Sequence, residues 1–166
     1  MAEFVMKDLL AKAGRDDIVV ESAALHTDEI GSDIHHGTRR KLTEMGVPFT
    51  PRAAWLITAA KAREYDLLIG MDSYNIADLK RLVYPEDRGK IRRMLDFVNV
   101  NRDVADPWYT GNFDATWDDI HAGCTALLEQ LGKQHPIRPL GSRLDAQSVA
   151  HARSINLANA VSVAAC

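Results

Sequence analysis

The run "DLLIGM" (66–71) limits what this chain can fold into more than any other stretch. It is apolar on both faces, and a strand has that pattern only where helices cover the sheet from both sides, as in a parallel sheet. The flanking segments have helical period. Met1, Val5, Leu9 and Ala13 recur at i, i+4 and stop at Gly14, and "HGTRRKLTEMG" (36–46) reads as a second helix ending at Gly46. "DSYNIADLKRLV" follows the apolar run directly, with Asp72 or Ser73 able to cap a helix there. Trp117, Ile120, Cys124, Leu127, Leu128 and Leu131 form one apolar stripe of a last helix. "DIVVESA" (17–23) is a β-branched strand and "IRRMLDF" (91–97) a weaker one. Alternating helix and strand predicts a parallel sheet with right-handed crossovers and helices on both faces. Ligands of such sheets bind beyond the carboxyl ends of the strands, where loops 24–35, 72–75 and 98–112 gather.

Composition narrows the functional classes. At 166 residues, 46% hydrophobic and a mean hydropathy of -0.20, the chain can bury a core as one ordinary folded domain. Residues 1–132 carry 16 Lys and Arg against 22 Asp and Glu, so no nucleic-acid partner is expected. No apolar run has the length of a membrane span, and "MAEFVMKDLL" has acids and a lysine where a secretion signal is apolar, so the expected location is cytoplasmic. Cys124 and Cys166 are the only cysteines, too few for a disulfide framework or thiolate metal cluster. No cofactor and no metal site is expected; His35 and His36 lack ligand spacing. Composition changes near Gln134. Residues 133–166 hold 4 basic residues against 1 acidic and no aromatic residue, with Pro136, Pro139 and Gly141 leading into an Ala- and Ser-rich stretch. The chain therefore divides into a domain over 1–132 and a tail over 133–166, read as a weak helix over 143–165 or as disorder.

The loop "DVADPWYTGN" (103–112) sets one acid against a proline and two aromatics. Alone, it could be a capped turn with two half-buried rings. It stands in order with "MAEFVMKDLL", "ESAALHTDEIG" and "GMDSYNIADL", and together these resemble the low-molecular-weight protein tyrosine phosphatases along residues 1–132. The resemblance implies a three-layer α/β fold, flavodoxin-like, with sheet order 2-1-3-4. It also implies hydrolysis of a phosphotyrosine-containing protein or small aryl phosphate through a phosphocysteine. Asp106 matches the general acid that protonates the leaving phenolate oxygen, and Trp108 and Tyr109 match the aromatics flanking the substrate ring. Asp28 and Glu29 fall in the cleft wall, Asp28 where an aromatic is common. Asp72, Asn75 and Ser22 match positions that support the catalytic loop. His26 stands where Ser or Thr is usual, and Trp55 reads as packing.

Half of that site has no counterpart in the sequence. The family's nucleophile and anion clamp lie on a Cys-x5-Arg loop closed by Ser-Pro, just ahead of the helix at residue 1. Cys124 has Gln130 at the sixth position, and nothing follows Cys166. The first central strand is missing with the loop, which leaves two strand edges unpaired. The expectation is a phosphatase of this family that begins at an internal Met and is inactive as written. A catalytically dead phosphotyrosine-binding module is the alternative. An arsenate reductase is a weaker one, since residues 72–106 contain no relay cysteine. "AVSVAAC" (160–166) is the only tail segment whose alternation suits the vacant slot, although Ala164 and Ala165 favour helix.

Overall fold

The computed structural model describes residues 1–134 and 153–158. Four parallel strands form one sheet in the order β1-β4-β2-β3: β1 Ile18–Ala23, β2 Leu67–Gly70, β3 Ile91–Arg93 and β4 Arg153–Ala158. The helices are α1 Ala2–Lys12, α2 His36–Glu44, α3 Ala59–Arg63, α4 Ser73–Leu82, α5 Pro107–Thr110 and α6 Phe113–Gln134. Side chains alternate across the sheet, as the pleat requires. Ile18, Val20 and Ile69 meet Phe4, Val5, Met6 and Leu10 of α1 and Ile120, Cys124 and Leu127 of α6. Ala23, Leu68 and Ile91 meet Ala62 of α3, Leu79 of α4 and Tyr65 on the other face. The result is the three-layer α/β arrangement expected from the two-faced run at 66–71.

Local chemistry explains where the elements stop. Glu3–Lys7 and Asp8–Lys12 ion pairs at 2.6 Å bind successive turns of α1, which ends where Gly14 takes φ +64°. Asp72 caps α4 by accepting the Asn75 N–H at 2.7 Å. The strand expected over 91–97 ends at Arg93. There the Asp96 carboxylate accepts the Arg93 N–H at 3.0 Å and closes a 3-10 turn over Met94–Val98. That turn lies hard against α6: a Cβ at Gly123 would come 2.6 Å from Met94 Sδ. Trp55 is partly buried against the second cluster, as packing requires.

The largest departure from expectation is β4. The tail, read as a weak helix or disorder, contributes a strand over 153–158, and the central slot expected to be vacant is filled. Ile18 through Ala23 pair with Arg153 through Ala158 on one side, and Leu67 through Gly70 pair with Ile155 through Ala158 on the other. The physical reason is the pair of open edges. Unpaired backbone groups of β1 and β2 would lie inside the sheet, and a strand between them satisfies both ladders at once. The observed strand lies upstream of the alternating segment 160–166, which is outside the described residues.

Candidate active site

The carboxyl ends of the strands open into a cleft, and a cavity of about 290 Å³ lies in it. His35 and Thr38 of the β1–α2 region, Met71 and Asp72 after β2, Val104 to Pro107, and Phe113 and Thr116 of α6 line it. A smaller cavity of about 110 Å³ adjoins, lined by Asp28, Glu29, Asp33 and Arg52, with Met1, His35 and Thr38 shared between the two.

The segment just ahead of Asp106 is tied to two elements. The Val104 N–H donates to Met71 O at 3.0 Å, which fixes it to the end of β2. Arg102 makes a bidentate contact with Asp119 at 2.7 Å, the Ala105 N–H donates to Asp119 at 2.9 Å, and Thr116 Oγ1 donates to Ala105 O at 2.6 Å. Asp106 is exposed at the cavity, and Pro107 opens α5 at a position where a missing N–H costs nothing. Trp108 and Tyr109 lie on α5; their side chains are outside the described residues.

Asp72 lines the same cavity. Burial raises its pKa, its hydrogen bond from Asn75 N–H opposes that, and the nearby Asp103 and Asp106 charges raise it further. Asp103 accepts from Ser73 Oγ at 2.7 Å. Asn75 is 1% exposed; its Oδ1 accepts the Met71 N–H at 3.0 Å, and its Nδ2 has no partner among the described residues. Ser22 is buried at the end of β1, donating to Glu3 and accepting from Arg52, whose Nη1 also reaches Glu3 Oε2 at 2.8 Å. This Glu3–Ser22–Arg52 group joins α1, β1 and the 50s segment. Sequence reasoning missed Arg52, since a single arginine in "PRAAWLIT" gives no periodic signal. His26 pairs with Asp78 of α4 at 3.0 Å.

His35 lines both cavities. Its Nδ1 accepts the Gly37 N–H at 3.2 Å, and its ring stacks on Phe113 at 5.7 Å and 12°. Gly37 is required there, since a Cβ would meet the Phe113 ring at 2.3 Å. Burial and the neighbouring His36 lower the His35 pKa, which favours the neutral ring that accepts this bond. His121 is exposed on α6, stacked on Trp117 at 5.5 Å. Cys124 is fully buried, and burial pushes its thiol up to about 12, the opposite of an activated nucleophile.

Asp28 and Glu29 sit on a 3-10 turn, Thr27–Glu29, at the smaller cavity. Burial, then the Asp28 charge, pushes the Glu29 carboxyl up to about 7 from 4.5, with His26 opposing. A carboxyl raised in the folded state costs stability as pH climbs from 4.5 toward 7, where folding favours the proton that the unfolded chain has released. Glu29→Gln is therefore expected to raise the thermal midpoint at pH 8 and to leave it unchanged near pH 4. Melting curves at both values check this; an equal shift at both would detach the effect from ionisation.

An acid on a pinned loop beyond β3 and a capped helix after β2 thus share one cleft at the carboxyl edge of the sheet. Residues 1–137 match the family of low molecular weight phosphotyrosine protein phosphatases. The chain belongs to that family. It is 34% identical over 137 residues to the low molecular weight protein-tyrosine-phosphatase YfkJ of Bacillus subtilis, covering 81% of this chain and 88% of that one. It is 30% identical over 134 residues to PtpA of Staphylococcus aureus, covering 80% and 85%. The crystal structure of YfkJ superposes with a TM-score of 0.76 over 81% of this chain and 86% of that one. The Streptococcus pyogenes enzyme gives 0.69 at 32% identity, over 78% and 82%. The low-molecular-weight phosphatase fold thus accounts for the helices, β1 to β3 and the acid loop, while β4 lies beyond the matched residues. Among the described residues no helix is long and apolar enough to cross a membrane, and no group of His, Cys, Asp or Glu could hold a metal.

Proposed function

We propose that this cleft is built for phosphotyrosine, on a protein or as a small aryl phosphate, and that Asp106 is its general acid. One observation carries the reading: Asp106 lies at the cavity on a loop fixed to both β2 and α6. As the P–O bond breaks, electrons collect on the phenolic oxygen, and the Asp106 carboxylic acid transfers its proton there. In this reading Trp108 and Tyr109 flank the ring, Asp28 and Glu29 form the far wall, and Asp72, Asn75 and Ser22 stand where the family braces its phosphate-cradling loop. Placement in the cytoplasm belongs to the same proposal. The 166 residues contain no Cys followed by Arg at the sixth position, so this chain binds aryl phosphate weakly and does not turn it over.

The general-acid role is tested in a version extended ahead of Met1 by an apolar strand and a Cys-x5-Arg loop closed by Ser-Pro. Asp106→Asn is expected to slow phenyl phosphate hydrolysis about 10²- to 10⁴-fold, the usual worth of a positioned acid. The loss should shrink with dinitrophenyl phosphate, whose leaving group departs without a proton. Equal losses on both substrates would remove Asp106 from that role.

A further inference from the structure

Two side chains one turn apart on α6 hold the residue ahead of Asp106 by both of its main-chain polar groups. The Ala105 N–H donates to Asp119 at 2.9 Å, and the Ala105 carbonyl accepts from Thr116 Oγ1 at 2.6 Å. Residues i and i+3 of a helix share a face, so α6 presents this acceptor and this donor together. The threonine bond departs from the local pattern. A helical threonine commonly returns its hydroxyl to the carbonyl four residues back, as Thr43 does to Arg39 at 2.9 Å and Thr125 to His121 at 2.7 Å. For Thr116 that carbonyl, on Asn112, lies at 3.4 Å, and the shorter bond leaves the helix for Ala105. Thr116 is 6% exposed, which shields the bond from competing water. Asp119 is oriented in turn by Arg102, whose guanidinium meets both carboxylate oxygens at 2.7 Å. That contact holds the Asp119 carboxyl below the usual carboxylate range against the effect of burial, and the Ala105 N–H adds to it.

The Ala105 carbonyl belongs to the planar peptide unit that also carries the Asp106 N–H. Fixing that plane sets the point from which the Asp106 side chain leaves the loop. We infer that Thr116 and Asp119 are positioning residues for Asp106: α6 clamps the peptide ahead of the acid and thereby aims its carboxyl at the leaving oxygen. The inference rests on the general-acid reading of Asp106. Misplacing a reacting group by about 1 Å can cost about 10²-fold in rate, so a clamp of this kind acts on turnover while leaving the sheet intact.

The first test uses the 166-residue protein. In Asp119→Ala the Ala105 amide should exchange with solvent at least about tenfold faster, while the amides of Leu68 and Ile69 keep their rates. In Thr116→Val, which keeps the shape of the side chain, the coupling between the Asp106 amide and Hα protons should move toward its rotationally averaged value, and Thr116→Ser should restore it. An unchanged exchange rate or an unchanged coupling would overturn the clamp. The second test uses the version extended by a strand and a Cys-x5-Arg loop. Thr116→Val should slow phenyl phosphate hydrolysis at least about tenfold and dinitrophenyl phosphate hydrolysis far less, with recovery in Thr116→Ser. With Asp106→Asn already in place, Thr116→Val should cost nothing further, because it acts through the acid. A loss of equal size on both substrates, or one that persists beside Asp106→Asn, would mean that Thr116 serves the fold alone. Equal losses on both substrates in Asp106→Asn by itself would instead remove the general-acid reading, so the two failures are told apart.

Discussion

Ile155→Pro is expected to abolish cooperative unfolding of the whole domain. Ile155 faces Val20 of β1 on one side and Leu67 of β2 on the other, in the middle of the sheet. Proline removes a ladder hydrogen bond there and forces its ring between paired backbones, at about 3 kcal/mol or more. The consequence is larger than one bond, because separating β4 opens the edges of both β1 and β2. Typical domains hold about 5–15 kcal/mol in all, so losing a central strand leaves little margin. Circular dichroism through a urea titration should show a broad, early transition, and amides of 18–23 and 67–70 should lose protection from exchange. A sharp transition at the wild-type midpoint would take β4 out of the slot.

This strand is also where the sequence was hardest to read. β1 and β2 announce themselves in β-branched and apolar runs, and α1, α4 and α6 in clean stripes, because each buries its own periodic face. "RSINLA" has Ile155 and Leu157 in alternation, yet Arg153, Ser154 and Asn156 dilute it and Ala-rich surroundings favour helix. Its stabilisation comes from partners more than eighty residues away in the chain, and no local window contains those. The end of β3 depended similarly on one contact, Asp96 turning back onto the Arg93 N–H. At the site, Asp106 was singled out by its loop standing in order with three other motifs, and Asp72 by its capping position. The Glu3–Ser22–Arg52 group and the His35–Phe113 stack were not, because each joins residues far apart in the chain through side-chain geometry alone. Ser22 and Asn75 were expected to brace a loop. Ser22 spends its hydroxyl on Glu3 and Arg52, whereas the Asn75 Oδ1 accepts the Met71 N–H at the end of β2.

The second large effect is catalytic. An acid can protonate a leaving oxygen, but attack at phosphorus needs a nucleophile and an anion clamp, and each contributes orders of magnitude. Cys124 supplies neither, being buried with its thiol pushed up to about 12. Arg52 is committed to Glu3 and Ser22, and Arg102 to Asp119. Cys124 has Gln130 at the sixth position, where an arginine would hold the equatorial oxygens. An added strand ahead of Met1 would compete with β4 for the same slot, so adding the loop should both displace β4 and create activity.

Turnover of p-nitrophenyl phosphate by the purified 166-residue protein, beside the version extended with a strand and a Cys-x5-Arg loop, is the most direct test of the claim that this cleft holds the acid half of a phosphatase site. The expected result is hydrolysis at the buffer rate for the first and a thiol-dependent rate at least about 10³-fold higher for the second, the scale on which covalent catalysis and oxyanion stabilisation act together. Comparable rates for the two proteins, persisting after alkylation of every accessible thiol, would contradict the account and place the chemistry elsewhere in the molecule.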